Sequence, residues 1–321
     1  VDHEHVHIAR VREGNEPALE NDRTMPDRIL TATAVDGSFS VVAGITTELV
    51  SETQRRLELA PTASAAVGRL LTGAALLGAS LKGREKLTLQ IAGDGPLKGV
   101  VADVALNSAH EIGARGYARR PDVDVPLNAR GKFDVGGAVG KGYLQVTRSF
   151  EVGQPYVGIT ELRSGEIGDD IAAYLMTSEQ IPSVVALGVL ANPSGIKASG
   201  GVIAQVLPGA AEATIATLEA RALTMAPVTT QIDGGASPAD LVAALAGPLD
   251  VRITREYDLA YTCTCSRDRV ERALLGLGRD ELEKILREQD RTEAVCEFCK
   301  TAYVLSRDEV NGLIARLEAR S

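Results

Sequence analysis

Tyr261-Thr262-Cys263-Thr264-Cys265-Ser266-Arg267 and Val295-Cys296-Glu297-Phe298-Cys299-Lys300 between them hold every cysteine of this 321-residue chain. The two tight pairs, C-T-C and C-E-F-C, stand 30 residues apart, and no histidine lies near either. Four thiols in two pairs can fill the four soft corners of a tetrahedral zinc site, each turn offering two sulfurs to one metal. The segment between them is long enough to fold and bring the turns together. The spacing therefore predicts one Zn2+ held by Cys263, Cys265, Cys296 and Cys299. Two plainer readings compete. Free cysteines are often just small buried hydrophobes, but scattered core thiols seldom all fall as two pairs at one end of a chain. Disulfides of a secreted protein are the other; no signal-peptide pattern opens the sequence, and a chain this long needs no staples.

The residues around these cysteines promise little core. Val270, Ala273, Leu274 and Leu277 mark one helix face, Gly278 ends that helix, and 280–288 begins another. The second pair reads as a knuckle between two short extended runs. Ser306 and Glu309 match a capping box for a last helix with the stripe Leu313, Ile314 and Leu317. A unit of about 60 residues buries too little apolar surface to be secure alone. Structural zinc contributes roughly 10–16 kcal/mol of apparent binding free energy, most of it folding free energy. The zinc-binding unit 263–321 is thus expected to depend on its metal.

Upstream, 210–262 reads as a partly helical linker: a helix over 210–225, a loop over 227–238, a short helix opened by Ser237-Pro238, and an alternating strand over 251–261. Its apolar surface looks too modest for a separate core, so it must lean on its neighbours. Residues 27–209 read as a larger α+β core with antiparallel sheets. Asp36-Gly37 joins strands 29–34 and 39–45. Thr47 fits the N-cap of a helix over 48–60, and a second helix spans 63–81, its Gly68, Gly73 and Gly78 explained by close packing. Strands follow within 86–150, then a helix over 166–181 and strands at 183–190 and 201–207; Ser194-Gly195 and Ser199-Gly200-Gly201 look like turns. Strands and helices do not alternate regularly, which argues against a doubly wound sheet. Residues 1–26 read as a flexible leader; His3, His5 and His7 could bind a metal there if extended.

Composition excludes several classes. Net charge is −9; residues 251–321 carry 13 basic and 14 acidic side chains, and 1–250 carry 21 and 29. Neither part has the basic footprint that phosphate backbones demand. Trp is absent and aromatics make up 3%, which leaves no base-stacking platform. The most apolar window, 63–81, contains Arg69 and is rich in Ala and Gly, a buried helix rather than a membrane span. The glycine-rich run from Gly136 to Gly142 fails as a nucleotide loop, because Val135 and Gly142 stand where a glycine and a magnesium-binding hydroxyl are needed. No Ser/His/Asp or Cys/His constellation is visible, and His110, the only histidine beyond the leader, reads as structural.

With Cys-X-Cys followed by Ser266-Arg267, a gap near 30 and Cys-X-X-Cys, the chain resembles the 33-kilodalton redox-regulated heat-shock chaperones of bacteria. Gly93-Asp94-Gly95-Pro96, Tyr174-Leu175-Met176-Thr177-Ser178-Glu179-Gln180 and Gly200-Gly201-Val202-Ile203-Ala204-Gln205-Val206-Leu207-Pro208 are similar to segments of that family, and the likeness runs from about residue 27 to 318. The resemblance implies a cytoplasmic, ATP-independent holdase rather than an enzyme. It implies that the zinc-bound reduced form is inactive. Oxidation would then form the disulfides Cys263–Cys265 and Cys296–Cys299, release zinc, and leave a homodimer that binds unfolding client proteins. Two rivals remain: a zinc ribbon for nucleic acid, against which the charge argues, and a thiol-disulfide oxidoreductase, whose C-x-x-C usually opens a helix in a βαβ setting.

Overall fold

Strands β1 (Arg28–Ala34) and β2 (Phe39–Ile45) meet at Asp36-Gly37, as the dipeptide predicts. Gly37 takes φ +76°, and Asp36 Oδ1 accepts from the Ser38 N–H and O–H at 3.0 and 2.5 Å. The computed structural model describes residues 26–192, 194–288 and 291–318.

Helix α1 (Thr47–Leu57) starts after Thr46, not after Thr47. The Thr46 hydroxyl is engaged with those of Thr72 and Ser199 at 2.7 and 2.8 Å. Asp27 caps the helix instead, its carboxylate accepting from the N–H groups of Glu48 and Leu49 at 3.1 and 2.7 Å. Helix α2 (Pro61–Gly78) begins at its proline, which needs no donor in the first turn, and ends three residues before Leu81. It is buried along nearly its whole length. The glycines of α2 do answer close packing, but by side chains rather than backbone: a Cβ on Gly68 would lie 2.7 Å from Val189 and 2.8 Å from Val50, and one on Gly78 2.5 Å from Val104.

The chain continues through β3 (Lys86–Gly93), β4 (Val100–Ser108), β5 (Glu111–Ala118), the short α3 (Val135–Val139), β6 (Gly142–Ser149), β7 (Tyr156–Glu161), α4 (Gly168–Thr177), β8 (Ser183–Asn192) and β9 (Gly195–Val206). Next come α5 (Glu212–Thr224), α6 (Val228–Asp233), α7 (Pro238–Ala246) and β10 (Val251–Tyr261). The last part holds α8 (Arg267–Gly276), α9 (Arg279–Glu288), β11 (Arg291–Val295), β12 (Ala302–Ser306) and α10 (Arg307–Glu318).

Ten strands form a single sheet in the order β7-β6-β3-β4-β5-β10-β1-β2-β9-β8. Every neighbouring pair is antiparallel except β10 on β5, whose parallel register runs from Asp258↔Glu111 to Tyr261↔Ala114. Along β1, Ile29 faces one cluster while Leu30, Ala32 and Ala34 face another, the period-two alternation of a sheet covered on both sides. The first cluster gathers around α1 and α2. On the opposite face, Phe39, Val41, Val202 and Ala204 pack against Leu218 of α5, Val228 of α6 and Leu241, Val242 and Leu245 of α7. The segment 210–262 therefore leans on the core sheet: its helices cover one face, and β10 lies between β1 and β5.

Some local expectations fail for physical reasons. Ser199-Gly200-Gly201 lies inside β9 rather than at a turn. A Cβ on Gly201 would lie 2.6 Å from Leu187 and 2.7 Å from the Ala186 oxygen, so glycine serves crowding there. The loop expected over 227–238 contains α6, and Ile232 of that helix crowds Gly200. Strand β7 has no clear sequence signal because Gly158 interrupts its alternation; the ring of Tyr174 fills the space a Cβ would need. The leader and its three histidines lie outside the described residues.

Candidate metal centre

Tyr261 ends β10, and the Thr262 N–H donates to the Ala114 oxygen at 2.9 Å. That bond holds the chain against the middle of β5 just as it reaches Cys263 and Cys265. Ser266 then caps α8, its Oγ accepting from the Arg269 N–H at 3.4 Å. The second pair lies on the turn between β11 and β12. The Cys296 N–H donates to the Thr301 oxygen at 3.0 Å, the Lys300 N–H donates back to the Cys296 oxygen at 2.8 Å, and Lys300 takes φ 58°. Both turns present their sulfurs to one point.

The four Sγ atoms all lie within 4.8 Å of one another. Across the pairs, Cys263 and Cys296 are 3.8 Å apart, and Cys265 and Cys299 3.4 Å. Metal–sulfur arms of about 2.3 Å give a tetrahedron with edges of about 3.8 Å, so the donor set fits zinc in both chemistry and size. All four are free thiols, each partly buried.

Their environments differ. Burial pushes the Cys265 thiol up, and it pushes Cys296 up to about 12. Burial also opposes ionisation of Cys299, but hydrogen bonding with the Thr301 hydroxyl, 3.2 Å away, and with the Thr301 backbone outweighs it and brings that thiol down to about 6. The Tyr303 hydroxyl donates to Cys265 Sγ at 3.1 Å, and this bond raises its own phenol to about 12.

Around the sulfurs the structure adds residues that sequence reading missed. Arg115 of β5 donates from Nη1 to Cys263 Sγ at 3.5 Å and from Nε and Nη2 to Asp103 Oδ2 at 3.2 and 2.8 Å. Its guanidinium lies 3.9 Å over the ring of Phe298, the residue between Glu297 and Cys299. Tyr117 meets the same ring edge-on at 4.9 Å, and the Tyr261 hydroxyl donates to the Phe298 oxygen at 2.7 Å. Tyr303, four residues after Cys299, could have been suspected from its position. Arg115 offered no such signal, being 148 residues from Cys263.

The unit that carries the second pair has a small core: Leu274, Leu282, Leu286, Leu305, Val310 and Leu313. The expected capping box is present, with the Ser306 N–H donating to Glu309 Oε2 at 2.7 Å and the Glu309 N–H to Ser306 Oγ at 3.3 Å. Leu277 is not on the buried face; it follows the end of α8 and is 51% exposed. His110 sits in the exposed turn between β4 and β5, away from the cysteines. At the glycine-rich run, Asp134 Oδ1 accepts from the Gly137 N–H at 3.0 Å, so a carboxylate occupies the end of α3 where a phosphate would have to sit. Among the described residues no helix is long and apolar enough to cross a membrane.

Comparison with known proteins agrees on one family. The family model described as Hsp33 protein matches residues 27–306. The 33 kDa chaperonin of Clostridium acetobutylicum is 42% identical over 298 residues, spanning 92% of this chain and 99% of that protein. That of Ruminiclostridium cellulolyticum is 39% identical over 291 residues, spanning 90% and 98%. The crystal structure of the 33 kDa chaperonin from Thermotoga maritima superposes with a TM-score of 0.81 at 34% identity, covering 92% of this chain and 99% of that one.

Proposed function

The chain belongs to the Hsp33 family, and from that premise we propose that it is an ATP-independent holdase switched by oxidation. The observation that carries this reading is the convergence of four sulfurs, all within 4.8 Å of one another, in a unit whose cluster holds six buried residues. In the reduced protein Cys263, Cys265, Cys296 and Cys299 hold one Zn2+. When bound, the ion keeps the four sulfurs as thiolates and draws the two turns together. Among the described residues, Tyr303, Thr301 and Arg115 position these sulfurs.

Oxidation converts Cys263 and Cys265 into one disulfide and Cys296 and Cys299 into another. Each pair of thiolates gives up two electrons as its S–S bond forms. Hydrogen peroxide accepts them, its O–O bond breaks, and two protons taken up from the buffered solution complete two water molecules. Disulfide sulfurs no longer ligate as thiolates do, so the unit 263–321 loses its main stabiliser and opens. The linker 210–262 loosens next. Helices α5–α7 then leave the face formed by Phe39, Val41, Val202 and Ala204, and expose their own Leu218, Val228, Leu241 and Leu245. Contiguous apolar surface of this kind binds unfolding clients, and the core 27–209 pairs as a homodimer in that state. The acidic charge of −9 suits a cytoplasmic protein that binds neither nucleic acid nor membrane, and the chain works without catalysing a reaction.

The test is a titration with peroxide or hypochlorous acid, reading zinc release beside suppression of client aggregation. One zinc per chain leaves as suppression appears. Full suppression by the zinc-bound form would overturn the switch, and no suppression in either form would overturn the chaperone reading.

A further inference from the structure

We propose that Arg115 of the core strand β5 is a positioning residue of the cysteine centre, a clamp that touches Cys263 of the first pair and Phe298 on the turn of the second, and links the state of the sulfurs to docking of the small unit on the core. This rests on the redox-switch reading above. The core holds the guanidinium firmly. Asp103, its cross-strand partner in the β4–β5 register, takes two of its donors, and Asp103 is in turn fixed by the Thr88 hydroxyl at 2.7 Å. The Arg115 side chain is 17% exposed. What remains of the guanidinium faces the cysteine unit: Nη1 reaches Cys263 of the first pair, and the flat face covers Phe298 of the second.

Few other contacts serve this purpose. Helices α8–α10 and strands β11 and β12 pack chiefly on one another. Phe298 lies at the junction, held by Arg115, by Tyr117 and through its carbonyl by Tyr261. Arginine suits the place for two reasons. Four thiolates outweigh one divalent ion, so the loaded site is anionic and attracts a fixed cation. A planar guanidinium can stack on a ring while its edge makes hydrogen bonds, which an ammonium cannot do. When the sulfurs pair as disulfides the negative charge disappears, and Cys263 no longer holds the clamp. The knuckle that presents Phe298 also changes shape as Cys296 and Cys299 join. Both halves of the clamp therefore fail in the same event.

The experiment uses the full reduced, zinc-loaded chain and the variants Arg115→Gln, Arg115→Lys and Phe298→Leu, with the surface change Arg120→Gln as control. Zinc transfer to a competing chelator and hydrogen exchange at 115–117, 262–265 and 296–301 are measured. Arg115→Gln and Phe298→Leu speed zinc transfer about tenfold and raise exchange on both sides of the contact, as loss of one buried charged contact implies. Arg115→Lys falls between, because it keeps charge without stacking. Arg120→Gln behaves as wild type. Wild-type transfer and exchange in both Arg115→Gln and Phe298→Leu would overturn the clamp. These readouts need no chaperone assay: a wild-type protein that fails to switch would sink the redox reading while the clamp is still decided by transfer and exchange.

Discussion

The region around α2 and the region around the cysteines are stabilised by different means. Among the described residues, the cluster packed on α2 gathers 39 buried side chains, whereas the cysteine unit gathers six. The first holds itself together by apolar burial from every side, with α2 touching strands of both halves of the sheet. The second has a far smaller apolar cluster, beside which four sulfurs converge. The difference teaches that one polypeptide can carry a permanent part and a conditional part. On the proposed reading, the conditional part is the one whose stability comes from ligands that an oxidant can remove.

Metal removal breaks this comparison most forcefully. Chelation withdraws roughly 10–16 kcal/mol of apparent binding free energy from the small unit alone. Calorimetry should then lose the transition of 263–318 while the α2 face of the sheet keeps a cooperative transition of its own. Simultaneous collapse of both would deny that the regions are independent.

Paired cavity mutations come next. Leu71 in α2 and Leu305 in β12 are both 0% exposed. Each change to alanine costs about 2–5 kcal/mol. Leu71→Ala lowers the core's denaturant midpoint and spares zinc content, while Leu305→Ala spares the core and hastens zinc loss. An equal effect of both on the core would break the contrast.

Acidity sharpens it further. Without metal, Cys296 is pushed up to about 12 and keeps its proton at neutral pH, while Cys299, brought down to about 6, has mostly lost its own. Zinc binding must therefore expel the proton of Cys296. Each unit by which pH rises from 6 to 8 lowers that cost, so apparent affinity rises about tenfold per pH unit for each proton released. Calorimetry in buffers of different ionisation heat counts those protons; an affinity flat with pH contradicts the assignment. The smallest effect is Ser306→Ala, which deletes one arm of the α10 capping box and costs about 1 kcal/mol. It should show as earlier loss of α10 helicity in urea and leave β3 and β4 unchanged.

Sequence reading saw the two regions unequally, for the same physical reason. The cysteines were legible because soft-ligand chemistry needs particular residue types at short spacing, and all four converge. Hairpin, α2 and most strands were legible from period and punctuation. What escaped depends on residues far apart in the chain. Arg115 meets Cys263 only because β10 pairs in parallel with β5. Asp27 displaces Thr47 as the cap of α1 only because β1 starts beside that helix. Glycines 200 and 201 signalled a turn when read locally, yet their neighbours Ile232 and Leu187 require them inside a strand. The modest apolar surface of 210–262 points to reliance on neighbours, but nothing local to it shows that α5–α7 rest on the sheet.

The central claim is that oxidation undoes the metal-held unit and thereby frees the helices covering the outer face of the sheet. Hydrogen exchange of the zinc-loaded reduced chain and the oxidised chain, measured while client binding is followed, tests it most directly. The account predicts that protection falls across 212–246 and 263–318 as binding appears, and persists in β3 and β4 beneath α2. Protection that stays high across 212–246 while client binding switches on would contradict it.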